Sequence, residues 1–229
     1  RHDNRRIMPF SRVVIETTGL ADPAPILNVL INHPYLAMRF RLDGVVTLVD
    51  AVNGMATLDA HEEALKQVIA ADRIVLTKTD LATDAAALDE LRARLETLNP
   101  GIALLAPDAP AQALVGAGLY DLAARPAALT RWLAQEVLAD GHDHHGHGHH
   151  HHDVNRHDES IRAFTLTADT PIAEATFDLF WTLLRSTHGS KLLRLKGLVA
   201  LAEFPGQPLL VHAVQQILHP PVLLERWPD

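Results

Sequence analysis

Two short polar stretches carry residue types that suit a nucleotide site, and each one closes an apolar run. Residues 16–19 read Glu-Thr-Thr-Gly after the run at residues 13–15, and residues 77–80 read Thr-Lys-Thr-Asp at the end of the run that begins at residue 73. In open α/β sheets, ligands bind beyond the carboxyl ends of the strands, where such loops cluster. These two stretches are therefore the first candidates for chemistry.

The first stretch combines a carboxylate with a glycine at the end of a predicted buried strand. Glu16 can hold a metal ion or its water shell, and Gly19 lets a backbone N–H approach a phosphate closely. Pro23 and Pro25 follow and suit the first turn of a helix. The alternative interpretation is a strand followed by a capped turn, without a ligand.

The second stretch has residues that can distinguish guanine from adenine. The carboxylate of Asp80 can accept hydrogen bonds from the two adjacent N–H groups on N1 and N2 of guanine, a pair that adenine lacks. The stem of Lys78 can cover the flat purine face while its ammonium stays solvated. The GTPase base-recognition motif is Asn-Lys-x-Asp, and Thr77 stands here in the place of the Asn. The alternative is an ordinary loop, because Lys and Asp are common in loops.

A histidine-rich tract at residues 141–160 is a candidate metal-binding segment. Neutral imidazole suits Zn²⁺, Ni²⁺, Cu²⁺ and Co²⁺, and short spacings allow many overlapping ligand sets, so we expect several loosely bound ions. The alternatives are a solvated linker without a metal role and an engineered purification tag, although Gly and Asp interrupt the tract. Nine of the fifteen histidines of the chain lie in it: His142, His144, His145, His147, His149, His150, His151, His152 and His157.

The composition limits the class of protein. With 229 residues and 48% apolar residues, the chain can bury a sizeable core. A net charge of −8 argues against a nucleic-acid surface, and the lack of cysteine excludes disulfides and thiolate metal sites within this chain. No long apolar run or signal peptide is seen, so we expect a cytoplasmic protein without a membrane partner. Because the chain starts without Met, almost directly on a predicted strand, we expect a piece of something longer.

Strands alternate with helices in the first part of the chain, which predicts an α/β fold with a doubly wound, mostly parallel sheet. The strands are expected near residues 13–15, 43–50, 73–77 and 102–105, and the helices near residues 26–31, 58–70, 84–98, 111–119 and 127–138. Past the histidine-rich linker, a strand–helix–strand–strand order near residues 161–167, 171–187, 191–204 and 208–218 predicts a small α+β domain. The predicted boundaries are 1–140, 141–159 and 160–229.

The combined motifs resemble the CobW-type, YjiA-like GTPases, a metallochaperone branch of the SIMIBI P-loop proteins. The similarity runs over essentially the whole chain. It implies that Glu16 occupies the acidic Walker B position near Mg²⁺, that Gly19 is the switch glycine facing the γ-phosphate of GTP, and that Lys78 and Asp80 hold guanine. The motifs are residues 16–23, 42–51, 77–81 and 193–197, together with the histidine-rich linker.

Two motifs of that family are not found in these 229 residues. One is the Gly-rich phosphate loop that ends in Gly-Lys-Ser/Thr, and the other is a Cys-x-Cys-Cys metal motif. The resemblance implies that both lie upstream of Arg1 and that the final strand and helix of the family lie downstream of Asp229. Because phosphate-loop amides and lysine hold the triphosphate, we predict that this chain by itself does not hydrolyse GTP.

Three hypotheses for function follow. The first is a GTP-driven metallochaperone that delivers a transition metal, zinc foremost or else cobalt or nickel, to a client metalloprotein. The second is a metal-storing protein that binds ions through the histidine-rich linker and uses the α/β domain as a scaffold. The third shares the family but handles cobalt in cobalamin synthesis.

Overall fold

The computed structural model of this chain describes residues 10–116, 166–189, 191–214 and 217–228. The first of these ranges forms an α/β unit. Its elements in chain order are α1 (Ala24–Asn32), α2 (Pro34–Ala37), β1 (Val46–Asp50), α3 (Gly54–Ala60), α4 (Glu62–Ala70), β2 (Arg73–Thr77), α5 (Ala85–Leu98), β3 (Ala103–Leu105) and α6 (Ala111–Leu114).

The strands of this unit form a parallel sheet in the order β1-β2-β3. The register pairs Val46 with Arg73 and Asp50 with Thr77, so β1 and β2 end at the same edge. This arrangement and the smaller antiparallel unit described below confirm the predicted α/β class with a mostly parallel sheet.

One face of the parallel sheet carries the main core. Val49 of β1 and Ile74 and Leu76 of β2 pack there against helices α4 and α5, which bury Leu65, Val68, Leu91 and Leu95. Asp84 caps the N-terminus of helix α5, and its side chain accepts hydrogen bonds from the N–H groups of Ala86 and Ala87. The opposite face is only partly covered by the described residues, since Leu48 is 67% exposed while its register partner Val75 is buried.

The buried strand predicted at residues 13–15 is wrong within this structure. These residues have no regular secondary structure, and their side chains are exposed, Val14 at 86%. A buried parallel strand needs neighbours for its hydrogen bonds and its apolar faces. None of the described strands supplies them, since β1 pairs only with β2 in this part of the chain.

The helix predicted over residues 58–70 is two helices, α3 and α4, separated at His61. His61 has extended backbone angles, and its N–H still closes the last turn of α3 on the carbonyl of Thr57. The change of direction lets Leu58 of the first helix and Val68 of the second both enter the core. Helix α6 is also shorter than predicted, and the predicted helix at residues 127–138 lies outside the described residues.

A second, antiparallel sheet forms the C-terminal unit. Its elements are α7 (Glu174–His188), β4 (Arg194–Val199), β5 (Leu209–Val214), β6 (Ile217–Leu218) and β7 (Val222–Leu223), with β4, β6 and β7 all pairing with β5. Helix α7 packs on the sheet through Phe177 and Trp181, whose rings stack with centroids 5.4 Å apart. The predicted strand near residues 161–167 lies mostly outside the described residues.

The two units meet at the N-terminal ends of β1 and β2. Arg194 of β4 donates hydrogen bonds to the carbonyls of Ile69 and Ala71 at the end of α4, and it forms an ion pair with Asp72. Asp72 in turn accepts a hydrogen bond from the backbone N–H of Val45. Arg194 thus fastens the antiparallel sheet to the parallel one. No helix among the described residues is both long and apolar enough to cross a membrane.

Candidate functional site

The loop at residues 77–80 lies at the carboxyl ends of β1 and β2. Thr77 is the last residue of β2 and pairs with Asp50, the last residue of β1. The hydroxyl of Thr77 donates to the carbonyl of Val49, with 3.2 Å between the oxygens. Thr77 therefore ties the two strand ends together, and the polar loop that follows starts from a fixed position.

Lys78 is held by a carboxylate of the neighbouring strand. Its Nζ lies 2.6 Å from Oδ2 of Asp50, and its backbone adopts a left-handed conformation with φ of 56°. For a residue with a side chain this conformation is uncommon and signals a local constraint. The ammonium and the backbone of Lys78 are thus both fixed, with its side chain still partly open to solvent.

Asp50 is a site residue that the sequence reasoning did not single out. Besides Lys78, it accepts hydrogen bonds from the N–H groups of Val52 and Asn53 and from the side-chain amide of Asn53. The hydrogen bond from Lys78, followed by those from Val52 and Asn53, holds the pKa of the Asp50 carboxyl well below its usual value despite some desolvation. In the sequence, Asp50 could have been recognised as an acidic residue at the end of a predicted strand, the same kind of position that directed attention to residues 77–80.

Asp80 is exposed and lies in the turn that follows Lys78. The turn is closed by a hydrogen bond from the N–H of Leu81 to the carbonyl of Lys78. Nearby, the open face of the sheet forms a groove of about 290 Å³ with a mainly apolar lining. Its lining residues are Val46, Leu48, Val75, Thr77, Ala106, Pro107, Ala109 and Leu114.

The loop at residues 16–22 is exposed as far as Leu20, and it is attached to helix α4. The side-chain amide of Gln67 donates to the carbonyls of Gly19 and Ala21, at 2.9 and 2.8 Å. Asp22 lies 3.5 Å from the ammonium of Lys66 and also accepts from the N–H of Ala24 in the first turn of α1. The loop therefore has a defined attachment, although no strand precedes it among the described residues.

Gly19 stands in open space. A Cβ atom added there would meet no atom within 4 Å, so packing within the described residues does not demand a glycine. By contrast, a Cβ at Gly54 would come within 2.9 Å of Val49, which is a packing requirement. The glycine at position 19 is thus compatible with close approach of an outside group.

The structure does not join the two predicted loops by a direct contact. Among the described residues, no hydrogen bond or ion pair links Glu16 or Gly19 to residues 77–80. The assignments of Glu16, Gly19, Thr77, Lys78 and Asp80 to one nucleotide site therefore stay predictions.

The histidines predicted to bind metal lie in a part of the chain that the structure does not describe. All nine predicted histidine ligands lie outside the described residues. Within the described ranges, no group of three or more His, Asp or Glu residues is arranged to hold a metal ion.

Comparisons with known proteins identify both units. The family model for the CobW/HypB/UreG nucleotide-binding domain matches residues 2–106, and that for the cobalamin synthesis protein cobW C-terminal domain matches residues 161–229. The zinc chaperone YjiA of Escherichia coli K12 is 47% identical over 91 residues, which are 40% of this chain and 29% of YjiA. The zinc chaperone CobW of a Sinorhizobium species is 30% identical over 230 aligned residues, covering 88% of this chain and 59% of that protein.

The fold agrees with a solved relative. The crystal structure of Zn(II)-bound YjiA GTPase from E. coli superposes with a TM-score of 0.63 at 25% identity, covering 92% of this chain and 60% of that chain. The present chain thus spans less than two thirds of the length of each of these relatives. Since the two family models account for its α/β unit and its C-terminal unit, and the solved fold matches across both, this chain belongs to the CobW family.

Proposed function

We propose that this chain is part of a GTP-binding, GTP-hydrolysing metallochaperone that binds zinc and delivers it to a client metalloprotein. The observation that carries the proposal is the loop at residues 77–80, which extends from the paired ends of β1 and β2 with Lys78 held by Asp50 and Asp80 open to solvent. Zinc is favoured over cobalt and nickel because the relatives are named as zinc chaperones.

In this proposal, guanine is recognised by the side chains of the second loop. Asp80 accepts from N1–H and the N2 amino group of the base, and the aliphatic stem of Lys78 lies against the ring. Because Asp50 fixes the ammonium of Lys78, the stem is ordered before the base arrives, which reduces the entropic cost of binding.

The first loop serves the phosphate end of the nucleotide. The exposed carboxylate of Glu16 is an oxygen ligand of the kind that Mg²⁺ prefers, so its chemistry fits the metal ion that accompanies GTP. The backbone at Gly19 is open to an approaching phosphate oxygen. When bound, the Mg²⁺ ion would neutralise charge on the phosphates.

The metal cargo is assigned to the histidine-rich segment at residues 141–160. Its imidazoles suit borderline ions such as Zn²⁺, and loose, multiple binding suits a protein that passes the ion on. The same composition supports a second candidate function, a metal-storing protein in which the α/β unit is only a scaffold. Base-selective nucleotide binding separates the two, because storage alone does not require it.

The experiment that tests the proposal is a measurement of base preference. Competition between GDP and ADP for the native protein, in the presence of Mg²⁺, should favour GDP by about tenfold or more, since adenine lacks the donor pair that Asp80 accepts. Equal affinity for the two nucleotides, or no binding of either, would reject the guanine site and favour the storage function.

A further inference from the structure

Gln67 of helix α4 makes two hydrogen bonds to the first loop, and neither the fold nor the family assignment explains them. Gln67 lies in the second half of helix α4, and its Nε2 donates both of its hydrogens to the loop, one to the carbonyl of Gly19 and one to that of Ala21. These two carbonyls belong to the stretch predicted to face the phosphates. A single amide therefore fixes two peptide groups of this loop.

The helix that carries Gln67 is itself anchored. On either side of this residue, Leu65 and Val68 are buried in the main core, and the carbonyl of Gln67 accepts a hydrogen bond from the buried hydroxyl of Thr47 in β1. Lys66 adds an ion pair to Asp22 at the end of the same loop. The loop is thus attached to a rigid part of the α/β unit.

Fixing the carbonyls also fixes the neighbouring N–H groups. In a trans peptide, the N–H of the next residue points opposite to the carbonyl, so the N–H of Leu20 is directed away from α4 when the carbonyl of Gly19 faces Gln67. The carbonyl of Thr18 accepts a hydrogen bond from the N–H of Ala21. Because the N–H of Gly19 belongs to the same peptide group as that carbonyl, it points in the opposite direction. Within the described ranges, neither the N–H of Gly19 nor that of Leu20 donates a hydrogen bond.

We propose that Gln67 is a positioning residue for the phosphate end of the nucleotide site, holding the carbonyls of Gly19 and Ala21 so that the amides of Gly19 and Leu20 are available to the terminal phosphate of GTP. This inference rests on the proposed function. The proposed role concerns the terminal phosphate, which GTP has and GDP lacks, whereas a purely structural role would affect the binding of both nucleotides. Loss of Gln67 should therefore weaken GTP binding more than GDP binding.

The sharpest variant is Gln67→Glu, which keeps the shape of the side chain but cannot donate to the two carbonyls when ionised. Gln67→Met removes the donor without adding charge, and it serves if the Glu variant fails to fold. The matched control is Gln112→Glu, the same change at an exposed residue of α6 that makes no hydrogen bond to residues 16–22 within the described part of the chain. The probes are GTPγS and GDP, and the measurement is equilibrium binding to the native protein with Mg²⁺.

Relative to Gln112→Glu, both Gln67 variants should bind GTPγS about tenfold more weakly while binding GDP within about twofold of the unaltered protein. Hydrogen exchange at residues 16–22 should be faster in the nucleotide-free variants. Equal losses for GTPγS and GDP, or unchanged exchange, would overturn the role of Gln67 while leaving the nucleotide site intact. Failure of the unaltered protein to bind either nucleotide would instead reject the proposed function, and with it this inference.

Discussion

Arg194 should be the most sensitive single position for the attachment of the C-terminal unit. Its side chain is only 10% exposed and that of its partner Asp72 only 12%, with 3.0 Å between the charged atoms. The guanidinium also donates to the carbonyls of Ile69 and Ala71. The change Arg194→Met keeps much of the side-chain length and removes both the charge and the donors.

The expected cost follows from the groups left behind. Removing one partner of a buried ion pair costs about 3–5 kcal/mol, because the other charge stays buried without compensation. Here the carbonyl of Ala71 keeps the side-chain amide of Asn99 as a donor, and Asp72 keeps the N–H of Val45. We therefore expect the lower end of that range, about 3 kcal/mol in the free energy of unfolding.

Urea unfolding of the whole chain measures this cost, and two further variants make it specific. Arg92→Met removes an exposed ion pair on α5, with side chains 47% and 72% exposed, and should change stability by less than about 1 kcal/mol. Replacing Arg194 by Met together with Asp72→Asn should recover part of the loss, since no buried charge remains. If Arg194→Met costs no more than Arg92→Met, or if the two changes at the interface are simply additive, then the buried pair of Arg194 and Asp72 does not stabilise the attachment of the C-terminal unit.

Two other predictions concern protons and metal. His212 and His219 stack with ring centroids 4.6 Å apart. Burial is the main cause that lowers the pKa of both. Repulsion from Arg194 lowers it further at both, and repulsion from a protonated His219 and from Lys196 does so at His212, while Asp72 partly opposes the effect at His219. Both are therefore neutral in the folded protein, and stability should fall as pH drops below the usual value of 6.5, by up to about 1.4 kcal/mol per histidine per pH unit until each folded pKa is reached. Urea unfolding at two pH values should show a shallower dependence for His212→Phe, and an unchanged slope would argue against the assignment. Separately, isothermal titration with Zn²⁺ should show a lower stoichiometry once residues 142–152 are deleted, and equal stoichiometry would reject their metal role.

Local patterns in the sequence were sufficient to predict several elements. The strand at Arg73–Thr77 is marked by an apolar run bounded by polar residues, and the long helix by apolar spacing and its stop at residues 99–101. The residues of the 77–80 loop were identifiable for the same reason, because the motif follows directly on a strand. Its position at the paired strand ends agrees with the rule for parallel sheets.

The contacts that organise the site could not be predicted, because they join residues far apart in the chain. Lys78 meets Asp50 across 28 positions, and Gln67 meets Gly19 across 48. Arg194 and Asp72 are 122 positions apart, and nothing local in the strand pattern distinguishes Arg194 from an ordinary solvated strand residue. The break at His61 also escapes a periodicity argument, since the apolar spacing continues across it and tertiary packing decides the turn.

The error at residues 13–15 has a different physical origin. An apolar β-branched run favours a buried strand, but such a strand forms only where neighbouring strands and covering helices are present. In this structure the three side chains are exposed, and the loop beyond them is held by Gln67 and Lys66 rather than by a sheet. The sequence thus predicts correctly that a loop follows residue 15, but it assigns the wrong structure to the residues before it, and the role of Glu16 and Gly19 stays a prediction.

The proposed site depends on the selection of guanine by Asp80, which a swap of base preference can test. Xanthine carries an oxygen where guanine carries the N2 amino group, so the amide of an Asp80→Asn variant can accept from N1–H and donate to that oxygen. Equilibrium competition should show that the native protein prefers GDP over XDP by about tenfold or more, and that Asp80→Asn reverses the order. An unchanged preference in the Asp80→Asn variant would contradict the claim.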